Sequence, residues 1–109
     1  MDYRDIINCT THDVTIMDSK GEVVTVIPPS GILPRLSPKT ICVGTCQGIR
    51  LTKTQYGKST GMPPEIPGTL YIVSAVLAKG FPQRKDLVIP NELVRNQRTV
   101  LGCKSLGFV

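Results

Sequence analysis

Tryptophan is absent from this 109-residue chain, and Tyr3, Tyr56, Tyr71, Phe81 and Phe108 are its only aromatic residues. That excludes a core built on large rings, and it argues against a row of platforms for stacking nucleic-acid bases. His12 is the single histidine, so only one side chain with an unperturbed pKa near neutrality is available for acid–base chemistry. No apolar stretch approaches the roughly 20 residues of a membrane helix, and no signal-peptide pattern opens the chain. No membrane partner and a cytoplasmic location are therefore expected. Cys9, Cys42, Cys46 and Cys103 form no Cys-x-x-Cys pair, and in the cytosol such thiols stay reduced. No run of five basic residues occurs, so nucleic acid is not expected as a partner.

What the chain does have is β-branched and aliphatic residues, which pack well on a pleated surface and favour strands. Thirteen Lys and Arg oppose eight Asp and Glu, a formal +5, the sign expected of a protein that meets anionic partners. At 109 residues one core can form without staples, no linker divides the sequence, and residues 1–109 are expected to be a single domain.

Asp5 to Thr10 with Thr11 to Met17, and then Glu22 to Ile27, read as strands around the turn signal Asp18-Ser19-Lys20-Gly21, a hairpin. Pro28-Pro29-Ser30-Gly31 ends it, because proline removes ladder donors. Leu33-Pro34-Arg35-Leu36 reads as an edge segment. Ile41-Cys42-Val43 and Ile49-Arg50-Leu51-Thr52-Lys53-Thr54 form a second hairpin. Residues 55–68, with three glycines and three prolines, read as a long surface loop. Thr69-Leu70-Tyr71-Ile72-Val73 is the most strand-like run. Ser74 then precedes a one-to-two-turn helix over residues 75–80, with Ser74 as its cap and Gly80 closing it; continuation of the strand through Leu77 is the rival reading. Leu87-Val88-Ile89 reads as a brief strand, residues 90–98 as a turn-rich polar stretch, and Thr99 to Cys103 with Ser105 to Val109 as a final strand. The expected fold is mainly β (α+β), a small strand-rich barrel or sandwich with one short helix.

Gly57-Lys58-Ser59 resembles the tail of a phosphate-binding P-loop. The full motif needs a glycine at position 52, where Thr52 stands, and a helix behind it, where Gly61-Met62-Pro63-Pro64 follows. A nucleotide-hydrolase reading fails on both counts. A weaker reading survives, in which Tyr56, Lys58, Ser59 and Thr60 hold a phosphate through backbone and hydroxyl donors. A zinc site from Cys9, His12, Cys42 and Cys46 lacks the common structural spacing, and no metal is expected. His12-Asp13 has no nucleophile elbow beside it, so catalysis is not expected. Ser74 stands where free N–H groups at a helix start attract anions, and Arg84, Arg95 and Arg98 offer bidentate contacts to phosphate or carboxylate. The expected ligand-binding set is Tyr56, Lys58, Ser59, Thr60, Ser74, Arg84, Arg95 and Arg98, with no catalytic residue and no cofactor.

Ile7-Asn8, Thr10, His12-Asp13-Val14, Ile27-Pro28-Pro29-Ser30-Gly31, Tyr56-Gly57, Gly61-Met62-Pro63, Gly68-Thr69-Leu70-Tyr71-Ile72-Val73-Ser74, Arg84 with Asp86, Pro90 and Val94-Arg95 resemble, in that order, a family of small uncharacterised proteins encoded by bacteriophages and bacteria. The stretch from Cys42 to Cys46 is not part of that pattern. A phage setting implies an anti-defence sponge, a protein that sequesters a phosphorylated nucleotide signal of the host without turning it over. So small a domain would build such a pocket at a homo-oligomer interface. The alternatives are a protein-binding or assembly module that uses strand edges and proline-rich loops, or a small nucleic-acid-binding β domain.

Overall fold

The computed structural model describes residues 3–109, with residues 56–59 described by their backbone alone. Eight strands and one helix follow in chain order: β1 (Asp5–Asn8), β2 (Val14–Met17), β3 (Val23–Ile27), β4 (Arg35–Cys46), β5 (Ile49–Thr60), β6 (Thr69–Ile72), α1 (Ala75–Lys79), β7 (Leu87–Asn96) and β8 (Thr99–Phe108). Six strands form a mixed sheet in the order β1-β6-β7-β8-β2-β3, while β4 and β5 pair with each other as a separate two-stranded ribbon. The expected mainly-β chain with one short helix is therefore present. The two outermost strands meet at one end, where Asn8 at the close of β1 bridges Pro29 just after β3, and the ribbon packs chiefly on itself.

β1, β6 and β7 run parallel, joined by registers Asp5↔Thr69 and Tyr71↔Leu87. Parallel neighbours need a crossover, and α1 supplies it between β6 and β7. Ser74 caps that helix, its hydroxyl accepting from the Leu77 N–H at 3.2 Å. The buried stretch Leu70, Tyr71, Ile72 and Val73 runs through the middle of the core, apolar on both faces as expected of a covered parallel strand. One face packs Cys9, Tyr71, Val73, Leu77, Ala78 and Leu87 together; the other packs Val14, Leu70, Ile72, Val88 and Cys103.

The β2–β3 hairpin turns where the sequence signals it. The Gly21 N–H donates to the Asp18 carbonyl, and the Asp18 carboxylate accepts from the N–H groups of Lys20 and Glu22. Gly21 takes a φ of 83°, which costs a glycine little.

Two loops expected from composition are strands instead. Residues 55–60 continue β5, held by registers that include Lys39↔Gln55 and Arg35↔Thr60. Glycine and hydroxyl residues were the loop signal there, but a partner strand that supplies the ladder overrides weak local propensity. Pro38 fits because the register slips between Leu36 and Pro38, a place where a missing donor is tolerated. Residues 90–96 likewise belong to β7, with Pro90 opposite Leu106 and Asn96 opposite Thr99. The turn shrinks to the tip, where Gln97 has a φ of 56°.

The molecule is extended. Its radius of gyration is 17.0 Å and its dimensions 53 × 37 × 25 Å, against about 13 Å for a compact chain of this length.

Candidate functional site

β1, β6 and β7 all begin, and β8 ends, at one end of the large sheet. The backbone there is shaped by Gly68, whose carbonyl accepts from the N–H groups of Arg4 at 2.7 Å and Asp5 at 3.1 Å. The tight turn ahead of β6 requires its φ of 82°. A second turn, closed by the Arg84 N–H on the Phe81 carbonyl at 3.0 Å, leads into β7. Between the two turns and the ends of the chain lies an open cleft of about 640 Å³, lined by Tyr3, Ile66, Arg84, Lys85, Leu87 and Phe108 among others. Its volume falls within the ordinary range for small-molecule sites.

Arg84 is the most constrained cation of the cleft. Its Nε and Nη2 donate to the two oxygens of Asp86, each at 2.8 Å, and Glu65 lies 3.1 Å from Nε. Hydrogen bonding to Asp86 holds the guanidinium above its ordinary pKa against the opposing effect of burial. Of the five N–H donors on an arginine, the two engaged by Asp86 leave three. Glu65 is brought there by its neighbour, since the Tyr71 hydroxyl donates to the Pro64 carbonyl at 2.9 Å. Burial is the main reason the Tyr71 phenol is raised, with the Asp86 charge adding to it. Lys85 lines the same cleft. The rings of Tyr3 and Phe108 stand with centroids 6.2 Å apart at 41°, a tilted pair.

Of the five expected residues whose side chains are described, Thr60, Ser74, Arg84, Arg95 and Arg98, only Arg84 lines this cleft. Ser74 is exposed beside Pro34, Arg35 and Leu36 in a hollow of about 310 Å³, and its hydroxyl is occupied as a helix cap. Thr60 is exposed at the end of β5. The side chains of Tyr56, Lys58 and Ser59 lie outside the described residues. Arg95 and Arg98 are exposed at the far tip of the β7–β8 hairpin, roughly 25 Å from Leu87 at about 3.3 Å per strand residue. Among the described side chains the expected set contributes one guanidinium to the cleft, because β7 runs on where a turn was expected and carries Arg95 away.

Tyr3, Lys85 and Phe108 were not singled out by sequence reasoning. Scarcity was the available signal: two of five aromatic residues meet in one cleft. Their positions near opposite ends of the chain hid the meeting. His12 is exposed, and its carbonyl accepts from the Asn8 amide and the Thr10 hydroxyl. Cys9 is buried in the core, whereas Cys42 and Cys46 are exposed on the ribbon. Among the described residues no group of three or more His, Cys, Asp or Glu stands ready to hold a metal ion, and no helix is long and apolar enough to cross a membrane.

Comparison with protein-family models, with curated proteins and with solved structures yields no match for this chain.

Proposed function

We propose that this chain is a non-enzymatic binding protein whose ligand is an anionic small molecule carrying a planar ring, of which a phosphorylated nucleotide is the natural example. The single observation carrying the reading is the cleft itself, where the Tyr3 and Phe108 rings share one wall system with Arg84 and Lys85. A ring stacks on Phe108 or Tyr3, and the acidic group meets Lys85 and the donors of Arg84 that Asp86 leaves unused. Asp86 and Glu65 hold the guanidinium in one orientation, so little side-chain entropy is lost when a ligand arrives. The proposed role is retention of the ligand rather than turnover. In the phage setting implied by the sequence resemblance, retention without turnover is what a sponge for a nucleotide signal requires.

Calorimetry against a panel of cyclic and linear nucleotides tests this. Binding by the parent protein is expected, with a loss of about tenfold or more for Phe108→Ala, as stacking is worth about 1–3 kcal/mol, and a comparable loss for Lys85→Glu. Ligand released by heat is expected to be chemically intact. Absence of binding across the panel, or recovery of a converted product, overturns the reading.

A further inference from the structure

Among the described residues, the ribbon beyond its base at Leu36 and the outer edge of β3 ahead of Ile27 pair with no further strand. β4 and β5 are twelve residues each, about 40 Å of ribbon, and a two-stranded hairpin alone in water is marginal. Pairs Cys46↔Ile49, Gly44↔Leu51 and Ile41↔Lys53 put Ile49, Leu51 and Ile41 on one face. Ile49 is 64% exposed, Leu51 45%, and Val43 at the adjoining bulge 62%. β3 is the outermost strand of the large sheet, with Val23, Val24 and Val26 also exposed. No lysine or proline lies within the strand; a bulge at Val24, where the register shifts from Thr25 to Val23, leaves that residue outside the pairing with β2.

Two magnitudes favour a partner on these surfaces. The accessible area is 7966 Å², whereas a compact monomer of 11.9 kDa exposes about 6,000 Å². The difference, near 2,000 Å², exceeds the roughly 800 Å² that each partner gives to a standard protein interface. Charge is the other. Residues 35–60 hold five of the thirteen Lys and Arg and none of the eight Asp and Glu, so the ribbon carries the whole formal +5 while the rest, eight against eight, is neutral. The β2–β3 hairpin and its approach carry Asp13, Asp18 and Glu22 against Lys20.

We infer that the ribbon of one copy docks on the open edge of β3 in a second copy, reciprocally, so that a two-fold dimer closes with two identical junctions. A cationic, apolar ribbon meets an apolar, acid-flanked edge, and main-chain groups left open on both sides pair. Ribbon against ribbon would oppose +5 to +5. A polyanion such as nucleic acid would use the cations but not Ile49, Leu51 and Val43, and would leave β3 bare. The junction uses no residue of the cleft, so it stands or falls apart from the ligand reading.

Light scattering behind gel filtration reads the mass. Two copies are expected for the parent protein, and one copy for Ile49→Asp and for Val24→Asp, whose exposed positions leave folding intact by circular dichroism. Mixing the two variants one to one is expected to recover a dimer, since the intact ribbon of one meets the intact β3 of the other. Glu22→Lys is expected to weaken the parent dimer at low salt, and Val100→Asp, exposed on β8, to leave it unchanged. A monomeric parent protein, a dimer that survives either single variant, or no recovery on mixing overturns the inference. So does a parent monomer that shifts only with a duplex oligonucleotide and releases it in salt, which assigns the ribbon to a polyanion instead.

Discussion

The side-chain oxygen of Asn8 accepts from both the N–H and the hydroxyl of Thr10, at 2.9 and 2.6 Å. The same amide donates to the carbonyls of His12 at 2.8 Å and Ile27 at 2.9 Å, and the Asn8 carbonyl accepts from the N–H and hydroxyl of Ser30. One residue, 1% exposed, thus ties the end of β1 to the approach of β2 and to the proline-rich stop after β3. Asn8, Thr10, His12 and Ser30 are one hydrogen-bonded knot.

Replacing Asn8 tests that reading. Asn8→Ala strands several buried backbone groups, each worth about 1–3 kcal/mol, and a loss of at least 3 kcal/mol is expected in urea unfolding. Asn8→Asp keeps the volume but turns an acceptor toward the His12 and Ile27 carbonyls. It is expected to cost at least as much, and an Asp variant as stable as the parent contradicts the knot.

Arg84 pairs with Asp86 through two nitrogens, and both side chains are largely buried. Arg84→Lys cannot reproduce two parallel bonds. Both Arg84→Lys and Arg84→Ala are expected to lower stability by about 2 kcal/mol or more, since Asp86 is left unpaired. Restoration by lysine would show that a point charge suffices.

Gly102 has a steric reason for lacking a side chain. A Cβ there would meet the Thr15 carbonyl oxygen at 2.7 Å and the Met17 sulfur at 2.9 Å, across the contact between β8 and β2. Gly102→Ala is expected to cost about 1–3 kcal/mol by overpacking, read as a lowered melting temperature. Exposed Val100 two residues away is expected to tolerate alanine with little change.

Thiol chemistry divides the four cysteines in two. Exposed Cys42 and Cys46 are expected to react at once with a thiol reagent at neutral pH, and buried Cys9 and Cys103 only after unfolding. Burial also raises the Cys9 and Cys103 thiols and the Tyr71 phenol above their ordinary 9.0 and 10.0. Because the folded state holds these protons more tightly, the stability they contribute is full below the unfolded values. It is lost as pH rises through the folded ones. Melting temperature is expected to hold steady up to about pH 9 and to fall beyond it, and a flat profile to pH 11 contradicts the burial of these groups.

Much of the secondary structure was legible because its signals are local. Gly21 after Asp18 marks one turn, Ser74 and Gly80 bracket the helix, and the Leu70 to Val73 run announces the central strand. Residues 55–60 and 90–96 were misread for the opposite reason, since glycine, proline and polar residues there are held extended by strands elsewhere in the chain. Arg84 was legible as a cation worth attention, but not its attachment to Asp86 and Glu65.

Composition and local pattern determined that this chain is strand-rich, basic, poor in rings and capped as a helix at Ser74, because each depends on residues within one turn or one strand. Only the tertiary structure decided that Tyr3 meets Phe108, that Arg84 parts from Arg95, and that residues 35–60 pair as a ribbon separate from the six-stranded sheet. Those facts follow from which strands pair, and pairing is decided between segments tens of residues apart, where no local preference reaches.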